Sequence, residues 1–402
     1  MFSIDQFISD NVTCRKTSMF LPDIENNKET LCEKIIGKSV LVIGGAGSIG
    51  SSFIKALLPF KPSELVVVDT NENALAELTR DLRSTKGMYV PDKYIPYPMD
   101  FASSVFEKMF RAHGGFDIVG NFSAHKHVRS EKDIYSVEAL LQNNVLHAKL
   151  LLDLLTEYPP EEYFCVSTDK AANPVNIMGA SKRIMEDVIF SYSDKFSVKT
   201  ARFANVAFSN GSLPAGFLAR IQKLQPLSAP SDVRRYFVSP EESGQICLLS
   251  CMLGENRAIF FPKLEEAQMM TFDAIGTKLL QAYGYEVLEC SSDEEAIDKA
   301  EELKKGSKQY PVHYSVSNTS GEKSFEEFVT DTETVDLERF VSLGVITGKS
   351  VPDKEKIAEL FENLNAEFDK DETNKEEIVS IMKSYLPNFE HIETGKSLDS
   401  KM

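Results

Sequence analysis

Two hydrophobic patterns alternate along the first half of the chain. Residues 40–43 are a short, wholly apolar, β-rich run, the pattern of a strand buried on both faces of a parallel sheet. A helical stripe through Phe53, Ile54, Leu57 and Leu58 follows it. The apolar run 65–68 comes next, then a helix with Leu75, Leu78 and Leu82 on one side. The pattern predicts further strands near 116–119 and over 163–166, and helices over about 136–155 and 177–190. Strands alternating with helices of this size predict an α/β fold with a doubly wound parallel sheet of the Rossmann type.

Between the first strand and its helix lie residues 44–50, Gly-Gly-Ala-Gly-Ser-Ile-Gly. Gly44, Gly47 and Gly50 permit a tight turn and let backbone N–H groups approach a pyrophosphate, with Ser48 and Ile49 opening the helix. Asp69 ends the next strand, 25 residues after Gly44. A carboxylate there can accept from both hydroxyls of an adenosine ribose. It would repel a 2′-phosphate, and Arg80 and Arg83 lie a turn or more into the following helix. The expected cofactor is therefore NAD rather than NADP. Asp100, beyond another strand end, is a candidate for the adenine amino group.

Residues 1–36 are polar and mixed, and read as an N-terminal arm. After about residue 207 the pattern becomes irregular and rich in Pro and Ser, as suits a smaller mixed domain closing over a ligand. Near the end, Ile357, Leu360, Phe361, Leu364 and Phe368 form one amphipathic stripe, and Ile378, Ile381, Met382 and Leu386 another. These stripes need a surface, on this subunit or a neighbour. The predicted division is 1–36 arm, 37–206 dinucleotide-binding domain, 207–345 substrate-binding region able to return strands to the sheet, and 346–402 helical tail.

Composition narrows the function. At 402 residues, 42% hydrophobic and 26% charged, the chain is an ordinary folded protein. Its net charge of −17 argues against a nucleic-acid-binding role. Residues 286–402 hold 28 acidic and 14 basic side chains, so the rest is near neutral and can carry a cationic nucleotide pocket. The six cysteines include no Cys-x-x-Cys pair, which fits a reducing compartment. The N-terminus lacks a basic region before an apolar stretch, and no run of about 18 apolar residues occurs, so a cytoplasmic protein without a membrane span is expected. His125 and His127 flank Lys126 with no third ligand at a recognisable spacing, so no metal is expected.

Residues 167–182, Ser-Thr-Asp-Lys-Ala-Ala-Asn-Pro-Val-Asn-Ile-Met-Gly-Ala-Ser-Lys, begin at a strand end, where open α/β sheets place ligands. Met178 and Lys182 share a helix face. With the glycine loop, this segment resembles the extended short-chain dehydrogenase/reductases. More narrowly it resembles the nucleotide-sugar 4,6-dehydratases of polysaccharide and flagellin-glycan biosynthesis, which act on UDP-N-acetylglucosamine. Residues 37–38, 123–128, 202–206, 235–238, 310–313 and 321–323 are similar to the same family. The superfamily usually has Tyr-x-x-x-Lys on this helix; here Met178 takes the tyrosine position, as in one branch of these dehydratases.

The resemblance implies a reaction. Hydride leaves C4 of the sugar, the resulting 4-ketone acidifies C5–H, water is lost across C5–C6, and hydride returns to C6. With no net redox change, the cofactor can stay tightly bound. Lys170 corresponds to the base and Asp169 to the acid. Thr168 corresponds to a donor to the C4 oxygen, and Lys182 to a ligand of the nicotinamide ribose. Ser123 and Ala124 correspond to a cofactor loop, and Lys126, Asn205 and Arg235 to the sugar-nucleotide contacts, with an arginine fork suited to the diphosphate supplied by Arg235 or by Arg234 beside it. A neutral Lys170 and a protonated Asp169 each need a shift of about 3 pKa units; burial drives both that way, their mutual attraction opposes it, and a dry pocket sealed by sugar and nicotinamide is therefore required. Without the tyrosine, Asp169 as carboxylate is the economical acceptor of the C4-hydroxyl proton. The family also implies a homo-oligomer, a dimer or larger. A UDP-sugar 4-epimerase on the same scaffold, or a non-catalytic dinucleotide sensor, stands as the alternative.

Overall fold

The computed structural model describes residues 2–317, 323 and 325–393. Its centre is a nine-stranded sheet: β1 (Ser39–Ile43), β2 (Glu64–Asp69), β3 (Lys93–Pro98), β4 (Ile118–Asn121), β5 (Glu162–Val166), β6 (Ser197–Ala201), β7 (Ile259–Pro262), β8 (Thr334–Asp336) and β9 (Leu343–Thr347). In space the order is β3-β2-β1-β4-β5-β6-β7-β9-β8. The first seven strands run parallel, and β9 and β8 add antiparallel at one edge. Val40 to Ile43 and Leu65 to Val68 are buried throughout, because helices cover both faces.

Register aligns the carboxyl ends of the strands. Val68 pairs with Ile43, Ile43 with Asn121, Asn121 with Cys165, and Cys165 with Thr200. Everything immediately after these residues emerges along one edge of the sheet, and the reversal of strand order between β1 and β4 opens a crevice there.

Helix α1 (Ser48–Leu57) follows β1, α2 (Ile177–Phe190) follows β5, and α3 (Pro240–Leu253) precedes β7. The irregular reading beyond residue 207 missed α3. That helix is buried nearly all round, so it carries no amphipathic stripe. It packs so closely on α1 that a Cβ at Gly244 would stand 2.1 Å from the Ser52 carbonyl oxygen. The helix expected over 136–155 is two α-helical pieces, Ile134–Leu141 and His147–Leu155, joined by a π turn over Gln142–Leu146.

Residues 207–345 do return β7, β8 and most of β9 to the main sheet. They also build a separate three-stranded parallel sheet from Leu227–Pro230, Gln309–Ser315 and Glu286–Glu289, over a second core that includes Phe217, Ile275, Leu279 and Tyr310. The N-terminal residues pack on both cores. Phe20, Leu31 and Ile35 enter the main core, and Phe7, Ile8 and Val12 the second. Arg15 donates to both carboxylate oxygens of Glu242 at 2.6 Å, and Asp23 accepts from the N–H groups of Val341 and Ser342 at 2.6 and 2.8 Å.

The C-terminal stripes find their surface on this chain. Ile357, Leu360, Phe361 and Leu364 of α4 (Lys354–Phe368), and Ile378 and Met382 of α5 (Lys375–Tyr385), are buried in the main core. The stripes therefore give no argument for a neighbouring subunit.

Candidate active site

At the β1 end, Gly44 turns with φ +70°, and a Cβ there would stand 2.6 Å from the Ser123 nitrogen. Gly50 brings α1 onto the loop; its Cβ would lie 2.4 Å from the Gly44 carbonyl oxygen. Gly47 caps α1 with no side chain on the first-turn N–H groups. A Cβ at Gly47 would meet only the Gly44 carbonyl oxygen, at 3.3 Å. Ser48 Oγ accepts from the N–H of Asn210 at 2.9 Å, so the loop after residue 207 reaches the mouth of the glycine turn.

Asp69 ends β2 with one carboxylate oxygen accepting from Ala46 N–H at 3.0 Å and the other from Asn71 N–H at 2.9 Å. The carboxylate is thus fastened to the loop it flanks. Bare N–H groups at a helix start with an anchored carboxylate beside them fit a dinucleotide. Asp100 is exposed and accepts from Ala102 N–H at 2.9 Å, serving its own turn. Arg80, also exposed, lies 3.3 Å from Glu77.

Ser123 follows β4 and donates to Asn143 at 3.3 Å. Ala124 is half-buried beside it, while Lys126 and both flanking histidines are exposed. Asn144, buried in the π turn, accepts from His125 N–H at 2.9 Å and donates to the His125 carbonyl at 2.9 Å and Ser181 Oγ at 3.1 Å. This side chain stitches the loop after β4 to α2, a use for the extra residue of a π turn.

Thr168, Asp169 and Lys170 leave β5 together. Asp169 is buried. Its Oδ1 accepts from Thr168 Oγ1 at 2.9 Å, from Lys170 N–H at 2.9 Å and from Lys170 Nζ at 3.1 Å. Lys170 Nζ also stands 3.7 Å from the buried Glu326 carboxylate. Both carboxylates act in the direction expected of the pair's mutual attraction, against the neutral Lys170 that a base requires. Burial does disfavour its charge, but Asp169 and Glu326 outweigh it and hold the ammonium above its ordinary pKa. Burial lifts the Glu326 carboxyl; Asp169 adds to that, while Lys170, Arg235 and Lys323 oppose it.

Met178 is buried, and its N–H donates to Glu131 at 2.9 Å, one turn before Lys182. Lys182 Nζ donates to the Val166 carbonyl at 3.0 Å, and burial lowers its pKa. Asn205 pairs in register with Phe237, and its N–H donates to Tyr236 at 3.0 Å, which sets it near Arg235. The Arg235 fork expected on a diphosphate turns inward instead. Its Nη1 donates to the carbonyls of Arg234 and Lys323 at 2.9 Å each, and its Nη2 lies 3.8 Å from Glu326. Arg234 is exposed and pairs with Glu266 at 2.8 Å. Arg202, in the 202–206 segment, is a fully buried structural fork on Glu186 and Glu333. Gly321 and Glu322 lie outside the described residues.

Sequence reading missed Glu326, Glu131 and Asn144. Glu326 lies three residues past the quoted 321–323 segment, so extending that segment would have reached it. Glu131 and Asn144 carry no local signal; only packing brings them to α2.

Residues 40–347 match the family described as polysaccharide biosynthesis protein. An uncharacterized membrane protein of Methanocaldococcus jannaschii is 29% identical over 87% of this chain and 97% of its own length. No helix among the described residues is long and apolar enough to cross a membrane. The Staphylococcus aureus capsular polysaccharide biosynthesis protein CapD is 29% identical over 59% of this chain, which spans only 40% of that relative. Two relatives match at 27% identity over 57% of this chain and 67% of their own lengths: a Campylobacter jejuni UDP-N-acetylglucosamine 4,6-dehydratase (inverting) and a Rickettsia bellii UDP-glucose 4-epimerase. Among solved structures, Pen from Bacillus thuringiensis aligns with TM-score 0.63 at 19% identity, over 82% of this chain and 98% of its own, a likeness of fold.

Proposed function

The chain belongs to the polysaccharide biosynthesis family matched over residues 40–347, and on that premise we propose that it is a nucleotide-sugar 4,6-dehydratase acting on UDP-N-acetylglucosamine. The observation that carries this reading is the Thr168–Asp169–Lys170 cluster. One buried carboxylate oxygen is shared by a hydroxyl and an ammonium, at the strand edge that also holds the glycine loop.

A bound nicotinamide dinucleotide, NAD for the reason Asp69 supplies, would accept hydride from the sugar and give it back. Gly47 and the first turn of α1 would hold its pyrophosphate, and Asp69 its adenosine ribose. Asp169, as carboxylate, accepts the C4-hydroxyl proton, a task that Met178, with no ionisable proton, cannot perform. Thr168 donates to the C4 oxygen. Lys170 removes the C5 proton once the neighbouring carbon is a ketone, Asp169 returns its proton to the departing C6 hydroxyl, and Lys170 gives a proton back to C5 as hydride returns to C6. Lys182, held at the end of β5, would hydrogen-bond the nicotinamide ribose and place positive charge near the oxygen that forms at C4. Asn205 and Lys126 contact the sugar nucleotide, while Arg235 orders the segment around Glu326.

A 4-epimerase would use the same glycine loop, Asp69 and Lys182, and an epimerase relative shares the identity and coverage of a dehydratase relative. It has no use for an acid and a base in contact, as Asp169 and Lys170 are. Mass spectrometry of UDP-N-acetylglucosamine after incubation separates the two. Dehydration removes one water and carries deuterium from C4 to C6. An unchanged mass with an inverted C4 hydroxyl would establish the epimerase.

A further inference from the structure

We propose that Glu326 is a positioning residue that takes the proton from Lys170 and so frees the amine to act as base. The inference rests on the dehydratase reading and deepens it. The argument is one of proton accounting. Asp169 has one proton to gain, and the C4 hydroxyl supplies it. The ammonium of Lys170 must therefore lose its proton to some other group before it can attack C5–H.

Among the described residues, Glu326 is the second carboxylate paired with the ammonium. It is 4% exposed, and its Oε1 lies 3.7 Å from Lys170 Nζ on one side and 3.8 Å from Arg235 Nη2 on the other. Asp169 accepts three hydrogen bonds on a single oxygen, one of them from the ammonium itself. Glu326 meets its two cations at ion-pair rather than hydrogen-bond distance, so its charge is less well compensated. The charged groups facing the Lys170–Glu326 pair are Asp169 from the β5 end, Arg235 from the 234–235 strand and Lys323 from Glu326's own segment.

That segment is held from three sides. Asn173 donates to Glu327 at 3.0 Å, Arg202 donates to the Phe328 carbonyl at 2.8 Å, and Arg235 donates to the Lys323 carbonyl at 2.9 Å. A small inward movement of one side chain brings Oε1 within hydrogen-bond reach of Nζ. The N–H bond of the ammonium then breaks with its pair left on nitrogen, and an O–H bond forms on Glu326. An ion pair becomes a neutral pair with no change in total charge, and a dry pocket favours the neutral form. Once Lys170 has given the C5 proton back to the sugar and the product has left, the proton on Glu326 returns to the amine.

Two measurements on the intact protein test this. The first is carbamylation of Lys170 by cyanate in the ligand-free protein, followed by peptide mass spectrometry across pH. Glu326→Gln keeps the shape and removes the charge. It should move the titration midpoint of Lys170 down by about one pH unit, which at a fixed pH below that midpoint is labelling about tenfold faster. An unmoved midpoint overturns the proposal, whether or not any sugar is converted. The second is the pH profile of water loss from UDP-N-acetylglucosamine. The parent protein should be nearly flat from about pH 6.5 to about pH 8.5, because the proton moves internally. Glu326→Gln should rise about tenfold per unit over that range, with Glu326→Asp restoring the flat profile. A flat profile in Glu326→Gln overturns the proposal. A midpoint shift in a protein that dehydrates no UDP-sugar supports the coupling and overturns the dehydratase reading instead.

Discussion

Oδ1 of Asp169 accepts both the backbone N–H and the ammonium of Lys170, at 2.9 and 3.1 Å. Adjacent residues rarely meet this way in a strand, where side chains alternate faces. Here the chain leaves β5 and turns through a short 3-10 segment, Asp169–Ala171, which folds both side chains to one side. Carboxylate and ammonium are thereby placed together by backbone geometry.

The two roles separate in mutants. Asp169→Asn should abolish both the appearance of reduced nicotinamide on adding substrate and the loss of water. Lys170→Ala should still reduce the nicotinamide but lose at least about a hundredfold in dehydration, the usual scale for a general base. Single-turnover absorbance with mass analysis of the sugar reads both. Normal nicotinamide reduction in Asp169→Asn would remove that carboxylate from the first proton transfer.

Asp69 should act on cofactor affinity alone. Replacing it with Ala leaves Ala46 and Asn71 N–H groups to water and removes the ribose acceptor. Dinucleotide affinity should fall at least about tenfold, roughly 1.4 kcal/mol, with little change in thermal stability. Calorimetric titration of NAD and NADP against the parent and the variant checks it; undiminished NAD binding would move the ribose site elsewhere.

The approach of α3 to α1 depends on Gly244. With a Cβ 2.1 Å from the Ser52 carbonyl oxygen, Gly244→Ala must push two buried helices apart. A loss of about 3 kcal/mol is expected, the upper range for an overpacked interior. Denaturant unfolding of the two proteins measures it, and a loss below about 1 kcal/mol would mean the helices slide freely.

Acid sensitivity should centre on Arg202. Its guanidinium bonds Glu186 at 3.0 and 2.8 Å and Glu333 at 2.7 and 2.9 Å, fully buried. Burial works against both charges, yet Arg202 prevails and holds Glu186 below its ordinary value and Glu333 at about 2. Depressed carboxyl pKa values stabilise the fold above the unfolded pKa and lose that contribution as pH falls through the folded one. Stability should therefore decline from about pH 5 toward about pH 2. Arg202→Met strands two buried carboxylates and should cost about 3–5 kcal/mol near neutrality, with the decline in acid much reduced. Urea unfolding at several pH values tests both; an unchanged slope in the variant would place the acid sensitivity elsewhere.

Local chemistry made much of the molecule readable in one dimension. The apolar runs at 40–43 and 65–68 announce buried parallel strands, because a strand covered on both faces needs no polar alternation. Gly44, Gly47, Gly50 and Asp69 follow at fixed offsets, because one turn and one strand separate the parts of a dinucleotide cradle. Asp169 and Lys170 are neighbours in the chain, so the sequence presents them as a candidate pair, and the 3-10 turn after β5 brings their side chains into contact.

Long-range packing decided the rest. Helix α3 hid because complete burial erases periodicity, and the terminal stripes found their partner surface only once the main core existed. Glu326 reaches Lys170 across 156 positions, and no local pattern encodes such a distance. The charge of that lysine follows from the same fact, since a proton's residence depends on every carboxylate within a few ångströms, and only three-dimensional structure sets those neighbours.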